Sequence, residues 1–439
     1  MRIIPHGLSM LSLGTLLGLF LTLNQGVFAD RNKDASLPLE ELRIFTEIFG
    51  KIKNDYVEPI QDKILLKNAI HGMISGLDPH SSYLESEEYK ELQEGTSGEF
   101  GGLGIEFTMD DGFIKVIAPI DDTPAKRAGI KAGDLVIRLD DTPVRGMKIN
   151  EAVKTMRGKP DTKIILTILR DGEQKPLKIT IIRDIIKVAS VKSRTIEPGF
   201  GYLRITQFQS KTGKSLRAAL SELKEENQNS LKGLILDLRD NPGGVLNAAV
   251  EVADAFLKKG IIVYTEGRRG DEQLKFNAKP TDILNGSPMV VLVNEGSASA
   301  SEIVAGSLQD HKRSLIVGNK TFGKGSVQTI LPMRNGDALK LTTARYFTPS
   351  GTSIQATGIS PDIFFENFTI TSTESQEYKP IKEVDLAGHL ENDSKDRKTN
   401  NETKPDMKNS KRLLAQKDYM LYEALNLLKG LVLFQGIKP

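Results

Sequence analysis

The 439-residue sequence contains neither cysteine nor tryptophan, and it has only five histidines. The absence of cysteine excludes disulfides, thiolate nucleophiles, cysteine-linked lipid anchors and cysteine-based metal sites. The formal net charge at pH 7 is only +2, from 59 basic and 57 acidic residues, so nothing in the charge balance indicates binding to nucleic acid. A chain of this length can form two or three domains.

The N-terminus has the pattern of a secretory signal peptide. Arg2 gives a positive start, an apolar stretch runs from Leu8 to Leu23, and Val27-Phe-Ala29 has the form of a small-residue cleavage site. The apolar region is short for a membrane span, which favours a cleaved signal over an anchor. We therefore expect an exported, periplasmic protein, which stays associated with the inner membrane if the signal is uncleaved.

Three serines stand where a predicted strand meets a predicted helix. The apolar run 288–293 indicates a buried strand, and the residues after Gly296 indicate a helix that begins near Ser297, Ser299 and Ser301. Unpaired N–H groups at the start of a helix favour negative charge beside a hydroxyl, which suits a nucleophile. The alternative is that these serines only cap and pack the helix.

A lysine between two glycines offers a base for such a serine. Lys324 and Gln328 are four positions apart, a spacing that places them on one side in either a helix or a strand. A lysine can act as a base only where burial lowers its pKa from about 10.4 towards 7 or 8. His311, at the end of the helix after Ser299, remains an alternative base, whereas a lone His80 in a turn is more often structural.

These two segments resemble the catalytic core of the carboxyl-terminal processing (tail-specific) peptidases. The matching segments are Gly296-Ser-Ala-Ser-Ala-Ser-Glu-Ile303 and Thr321-Phe-Gly-Lys-Gly-Ser-Val-Gln328. The separation 324 − 299 = 25 matches the family's spacing and selects Ser299 among the serines. The resemblance implies that Ser299 is the nucleophile, Lys324 its base and Gln328 the group that orients the lysine. It implies no metal and no organic cofactor.

A glycine-rich turn resembles the family's oxyanion motif. Asp240-Asn-Pro-Gly-Gly244 follows the predicted strand 233–238. The resemblance implies that one oxyanion-binding N–H comes from Gly243 or Gly244, between which the sequence does not decide. The second N–H would come from Ala300, the residue after the serine.

The region 97–185 is rich in glycine and in short alternating apolar segments, and its order of strands and helices resembles a PDZ domain. Gly102, Leu103, Gly104 and Ile105 match the loop that binds a carboxylate in such domains. Clustered backbone N–H groups can hold the terminal carboxylate of a peptide while a neighbouring strand pairs with it. The segment Gly76-Leu-Asp-Pro-His-Ser-Ser-Tyr-Leu84 also resembles a family signature ahead of this domain.

The expected fold is an α/β protease core with a mainly parallel sheet, an inserted PDZ-like domain, and helical N- and C-terminal regions. The expected divisions are a signal peptide at 1–29, a helical region at 30–96, the PDZ-like domain at 97–185, the protease core at 186–367, a polar linker at 368–411 and a C-terminal helix at 412–439. An apolar helix isolated by a linker packs on its own protein or on another chain. We favour the second option, which would give a homo-oligomer through the terminal helices.

The predicted function is that of an exported serine endopeptidase. The resemblance implies that it recognises accessible C-termini of protein substrates, among them peptidoglycan hydrolases and truncated envelope proteins; some members of the family need an adaptor protein. Two alternatives stay open at this point. One is a non-catalytic PDZ scaffold, and the other is a histidine-dependent serine hydrolase that uses His311.

Overall fold

A computed structural model describes residues 37–268, 273–365, 382 and 413–436. The predicted signal peptide lies outside these residues, as does the predicted linker except for Lys382. Within them the helices are α1 (Leu39–Asp55), α2 (Asp62–Ser75), α3 (Ser86–Ser97), α4 (Pro124–Arg127), α5 (Ile149–Met156), α6 (Thr212–Glu226), α7 (Leu246–Asp254), α8 (Ala300–Asp310) and α9 (Tyr419–Gly436). None of these helices has the length and apolar character needed to cross a membrane.

The strands fall into four sheets. In chain order they are β1 (Ser82–Leu84), β2 (Glu99–Gly102), β3 (Ile105–Asp110), β4 (Phe113–Pro119), β5 (Leu135–Leu139), β6 (Thr142–Pro143), β7 (Lys163–Leu169), β8 (Leu177–Ile182), β9 (Asp184–Lys187), β10 (Val191–Glu197), β11 (Phe200–Ile205), β12 (Gly233–Asp237), β13 (Ile261–Gly267), β14 (Leu274–Asn277), β15 (Met289–Val293), β16 (Leu315–Gly318), β17 (Ser326–Pro332), β18 (Ala338–Phe347) and β19 (Ile363–Phe364).

The N-terminal unit, described from residue 37 to Gly76, consists of α1 and α2. The helical region expected here is present, but its apolar residues Leu42, Phe45 and Ile48 are exposed, and α1 buries none of its residues. In α2 only Ile74 is buried. This pair of helices therefore has almost no core of its own, which is unusual for helices with an apolar stripe.

The PDZ-like region is a separate small sheet with two helices. Strands β3, β4, β5, β7 and β8 pair in that order, and β6 pairs with β5. Their inward side chains join α4 and α5 in one apolar core, whose fully buried members include Ile114, Val136 and Leu166. Half-buried or buried positions of β8 alternate with exposed ones, as expected of a sheet with one face in water.

The sheet that carries the serine turn has the order β10-β11-β12-β15-β16-β19. Every residue of β12 and β15 is buried, because helices cover both faces of the sheet. One face packs on α6, α7 and α8, and the other on α9. Asp237, Val293 and Gly318 end three neighbouring parallel strands, so the loops after them meet at the carboxyl edge, where ligands of such sheets bind.

The expectation of a protease core with a mainly parallel sheet is only partly met, because the core also contains an antiparallel sheet. Among the described residues, four of the fifteen strand pairings are parallel, and all four lie in the sheet that carries the serine turn. Strand β13, which lies within the expected protease core at 186–367, pairs antiparallel with β14 and β18 in a second sheet. An apolar run indicates a strand but does not indicate its partner.

The C-terminal helix α9 packs on its own protein, contrary to our preference for another chain. Leu421, Leu425 and Leu428 are buried against the second face of the parallel sheet. Two ion-paired hydrogen bonds of 2.9 and 2.7 Å join Arg239, after β12, to Asp418, just before α9. The end of the helix still exposes Leu433 and Phe434.

Candidate active site

Ser299 sits on a strained turn between β15 and α8. Its φ of 54° and ψ of −110° lie in a region that residues with a side chain rarely adopt. Strain of this kind costs about 1–3 kcal/mol and is found where a side chain must be presented for function. The nearby serines differ: Ser297 and Ser301 are fully buried, and their hydroxyls donate to the carbonyls of Leu238 and Asn241. Ser297 and Ser301 therefore serve packing, whereas Ser299 is the N-cap residue of α8.

A buried glutamate joins this turn to the lysine loop. Oε2 of Glu302 accepts hydrogen bonds from the backbone N–H of Ser299 (2.7 Å) and from that of Lys324 (2.9 Å). Its other oxygen accepts from Thr321 Oγ1 and from the N–H of Gly323. Burial raises the pKa of Glu302, and the four hydrogen bonds oppose that rise. The sequence analysis missed this role, although the Ser-x-x-Glu spacing of a capping box could have indicated it.

Lys324 lies half-buried just before β17. Burial is the main cause that lowers its pKa, the charge of Lys340 adds to the effect, and Asp78 and Glu302 oppose it. No hydrogen bond within the described part of the chain joins its amine to Ser299. The buried Tyr346 hydroxyl donates to the Lys324 carbonyl and also hydrogen-bonds the Ser299 side chain, and burial raises the pKa of this tyrosine.

No hydrogen bond joins the Gln328 side chain to Lys324 among the described residues. Its Nε2 donates to Ser326 Oγ (2.9 Å) and to Thr342 Oγ1 (3.4 Å). The interaction that the sequence analysis expected between Gln328 and the lysine stays a prediction. Both residues nevertheless lie near one end of the β17–β18 hairpin. Gln328 hydrogen-bonds Thr342, and Thr342 hydrogen-bonds Asp78. The charge of Asp78 in turn acts on Lys324.

The two glycines of the predicted oxyanion turn face different neighbours. Gly243, at φ +100°, packs on the nucleophile turn so closely that a Cβ would lie 2.8 Å from the Ser299 Cβ. Its N–H donates to Asn241 Oδ1 at 2.9 Å. A Cβ on Gly244 would instead meet the Phe208 carbonyl at 2.1 Å. The N–H of Ala300, the first residue of α8, has no hydrogen-bond partner among the described residues.

His311 lies at the far end of α8 from Ser299. The two residues are twelve positions apart along the helix, or about 18 Å at 1.5 Å per residue. The His311 imidazole hydrogen-bonds the carbonyl oxygen of Ile261 at 2.7 Å. The alternative of a hydrolase that uses His311 as its base is therefore wrong for this fold.

The PDZ-like region has a groove where its loop was predicted to bind a carboxylate. Leu103, Gly104 and Ile105 line a cavity of about 190 Å³ between β3 and α5, together with Gly102 and residues of α5. The sequence analysis did not single out Arg157, which lies at the loop end of this groove. Its guanidinium stacks on Phe100, 4.7 Å from the ring centre, and pairs with Glu94 at 3.0 Å.

Comparisons with known proteins agree with this combination of a serine turn and a PDZ-like groove. Residues 199–365 match Peptidase family S41, residues 101–181 match the PDZ domain, and residues 22–88 match the N-terminal domain of the activating protease CtpB. The chain is thus a serine peptidase that carries a PDZ domain.

Named relatives cover most of the chain. The carboxy-terminal-processing protease of Bartonella bacilliformis is 50% identical over 356 residues, which cover 80% of this chain and 81% of that protein. The carboxy-terminal processing protease CtpA of Bacillus subtilis is 37% identical over 349 residues, or 79% and 73% of the two chains. A solved photosystem II D1 C-terminal processing protease is 32% identical, covers 73% of this chain and 86% of its own, and has a TM-score of 0.44.

The chain belongs to peptidase family S41 and is a C-terminal processing serine protease with a PDZ domain. The alternative of a non-catalytic scaffold is therefore wrong.

Proposed function

We propose that this protein is an exported endopeptidase that cleaves with a Ser299–Lys324 dyad and degrades or processes proteins of the cell envelope, peptidoglycan hydrolases among them. The observation that carries the proposal is the strained serine at the carboxyl edge of the sheet, tied by Glu302 to a half-buried lysine of lowered pKa. Export rests on the signal-like residues 1–29.

In the proposed reaction the Ser299 hydroxyl attacks the scissile carbonyl while neutral Lys324 takes its proton. The resulting ammonium then protonates the leaving amine, and water releases the acyl group from Ser299. Burial supports this role, because it favours the neutral amine that a base requires. The unpaired N–H of Ala300 and an N–H of Gly243 or Gly244 would hold the oxyanion.

The Gly243 N–H is engaged by Asn241, and the Lys324 amine does not bond Ser299. In the proposed cycle both groups must therefore turn towards the substrate before cleavage. Substrate binding, or an adaptor protein, would supply the free energy for this change. Of the two glycines we favour Gly243, because it packs directly on Ser299.

The PDZ-like groove would select the substrate. A peptide added along β3 would place its terminal carboxylate at the N–H groups of Gly102, Leu103, Gly104 and Ile105, and its last side chain in the apolar cavity. Arg157 supplies a positive charge at this end. The groove therefore suits accessible C-termini with an apolar last residue.

Association into a homo-oligomer is part of the proposal. It rests on the exposed apolar stripe of α1 and on Leu433 and Phe434 at the end of α9. Analytical ultracentrifugation of the mature protein, beside a variant in which Leu42, Phe45 and Ile48 are replaced by serine, tests it. A monomer at micromolar concentration in both samples would contradict it.

The dyad is tested by degradation of an unfolded protein with an apolar C-terminus, with and without envelope extract to supply an adaptor. Ser299→Ala and Lys324→Ala should each lose cleavage, whereas Lys320→Ala, an exposed lysine in the same loop, should keep it. Cleavage that survives in Lys324→Ala would exclude the lysine as the base. The wild-type rate should rise with pH through the lowered pKa of Lys324.

A further inference from the structure

We propose that Asp78 is a positioning residue for the catalytic lysine: through Thr342 it fixes the direction of the Gln328 side-chain amide, so that the amide oxygen is left for the Lys324 amine. The proposal rests on the Ser–Lys chemistry proposed above and adds to it a device that sets the direction of the hydrogen bonds. The segment Gly76–Leu84, which sequence analysis left without a role, contains its first member.

The Asp78 carboxylate is a pure acceptor for four donors. Its Oδ1 accepts from the N–H of His80 (2.7 Å), the N–H of Ser81 (2.9 Å) and Thr342 Oγ1 (3.1 Å). Its Oδ2 accepts from Ser81 Oγ at 2.6 Å. These hydrogen bonds hold the pKa of Asp78 below its usual value, against the effect of burial, so the group is charged at neutral pH.

Each hydroxyl in this cluster has only one proton to donate. The short bond from Ser81 Oγ to Asp78 uses the proton of Ser81, and the bond from Thr342 Oγ1 to Asp78 uses the proton of Thr342. Thr342 Oγ1 has two further neighbours, Ser81 Oγ and Gln328 Nε2, each at 3.4 Å. Because the protons of both hydroxyls are used on Asp78, Thr342 Oγ1 can only accept from Gln328. The side-chain group of Gln328 that faces Thr342 must then be its NH₂ group, not its oxygen.

The second proton of that NH₂ group goes to Ser326 Oγ at 2.9 Å. Both N–H bonds of Gln328 are thus occupied, and its Oε1 has no hydrogen-bond partner among the described residues. A neutral lysine that acts as a base needs acceptors for its own N–H groups while its lone pair faces the serine. After proton transfer the ammonium needs a strong acceptor even more. The oxygen of Gln328 is such an acceptor, and it adds no charge that would raise the lysine pKa.

Position and charge support the link to the lysine. The segment after Asp78 continues into β1, which pairs with β18 so that Ser82 lies opposite Lys340. Thr342 is two residues further along β18 and lies opposite Gln328 of β17. The charged and titratable groups that act on the Lys324 amine are Asp78, His80, Lys340 and Glu302. Burial and the charge of Lys324 lower the pKa of His80, which favours the neutral imidazole.

The kinetic test removes the hydroxyl of Thr342 without changing the shape of the side chain. Thr342→Val should lower kcat by about tenfold to hundredfold, the usual cost of a misplaced catalytic group, and leave KM within about twofold. Thr342→Ser keeps the hydroxyl and should restore the rate. Thr343→Val is the matched control, because Thr343 pairs with Thr329 (2.6 Å), away from this cluster. Equal kcat values for Thr342→Val and Thr343→Val would overturn the proposal.

A second measurement needs neither cleavage nor a variant at Thr342. In protein labelled with ¹⁵N-glutamine, the side-chain NH₂ protons of Gln328, assigned by their loss in Gln328→Ala, should exchange with solvent far more slowly than those of exposed Gln228. Equally fast exchange would overturn the proposed direction of the amide. A wild type that cleaves nothing with extract would count against the protease proposal, and the exchange measurement would still decide the arrangement of Gln328.

Discussion

Ser299 and Lys324 belong to two different sheets, and the two sheets hold them differently. The serine follows a strand whose residues are all buried, and its backbone is fixed in a strained conformation. The lysine lies just before an antiparallel hairpin in which most side chains are only partly buried. Its amine makes no hydrogen bond to the serine. The nucleophile is therefore already in a fixed position. The base has a fixed backbone, but its amine has yet to reach the position in which it can act on the serine. The following predictions test this difference.

The largest expected effect concerns stability of the parallel sheet. Arg239 is buried between Asp237, at the end of β12, and Asp418, before α9. Arg239→Met leaves the fully buried Asp237 without its main partner, which should lower the free energy of unfolding by about 3–5 kcal/mol in urea titrations. Arg194→Met removes an exposed arginine that stacks on Tyr202 and is the control, with a cost below about 1 kcal/mol. Equal costs would contradict a sheet anchored by this buried pair.

Glu302→Gln weakens the hydrogen-bonded link between the Ser299 turn and the Lys324 loop. Each carboxylate oxygen now accepts two donors, Oε2 from the N–H groups of Ser299 and Lys324 and Oε1 from Thr321 Oγ1 and the N–H of Gly323. In either orientation the glutamine amide places an NH₂ group against one of these pairs, so about 2–4 kcal/mol of stability should be lost. Cleavage should fall by about a hundredfold, because the backbones of Ser299 and Lys324 are no longer held in position by one carboxylate. The exposed Glu295→Gln in the same turn should change neither property. Full activity in Glu302→Gln would show that this link does not position the dyad.

A comparison of Ser299→Gly with Ser299→Ala tests whether the backbone of Ser299 is strained. Both Ser299→Gly and Ser299→Ala remove the hydroxyl, but only glycine adopts a φ of 54° with a ψ of −110° without steric cost. In urea unfolding the glycine variant should therefore be about 1 kcal/mol more stable than the alanine variant, despite its more flexible unfolded chain. An alanine variant of equal or greater stability would exclude appreciable strain.

The smallest effect concerns the lysine side and appears as a shift of the pH–rate profile. The charge of Lys340 lowers the pKa of Lys324. Lys340→Met should raise that pKa, and because the neutral amine is the active form, the acidic limb of kcat should move to higher pH. Lys340→Arg keeps the charge and should leave the limb in place. A limb that moves to lower pH in Lys340→Met would show that Lys340 does not act through its charge.

The sequence was informative wherever residue order alone fixes structure. The strand and helix around Ser299 were found from an apolar run and its end, and the PDZ-like elements were found from short alternating segments. The pairing of β13 with β18 and the packing of α9 were missed. An apolar pattern indicates that a segment is buried, but it does not indicate which other segment packs against it. Asp78 and Thr342 are 264 positions apart. Without a resemblance to guide it, no local pattern could indicate that they meet beside Gln328.

The PDZ-like region is attached by two strands that pair with each other. The strand that enters it, β2, and the strand that leaves it, β9, run antiparallel from Glu99 opposite Lys187 to Gly102 opposite Asp184. The two crossings of the chain are therefore joined by the backbone hydrogen bonds of an antiparallel ladder. The attachment is a single two-stranded ribbon and not a pair of independent tethers, so neither crossing can slide along the other without breaking that ladder.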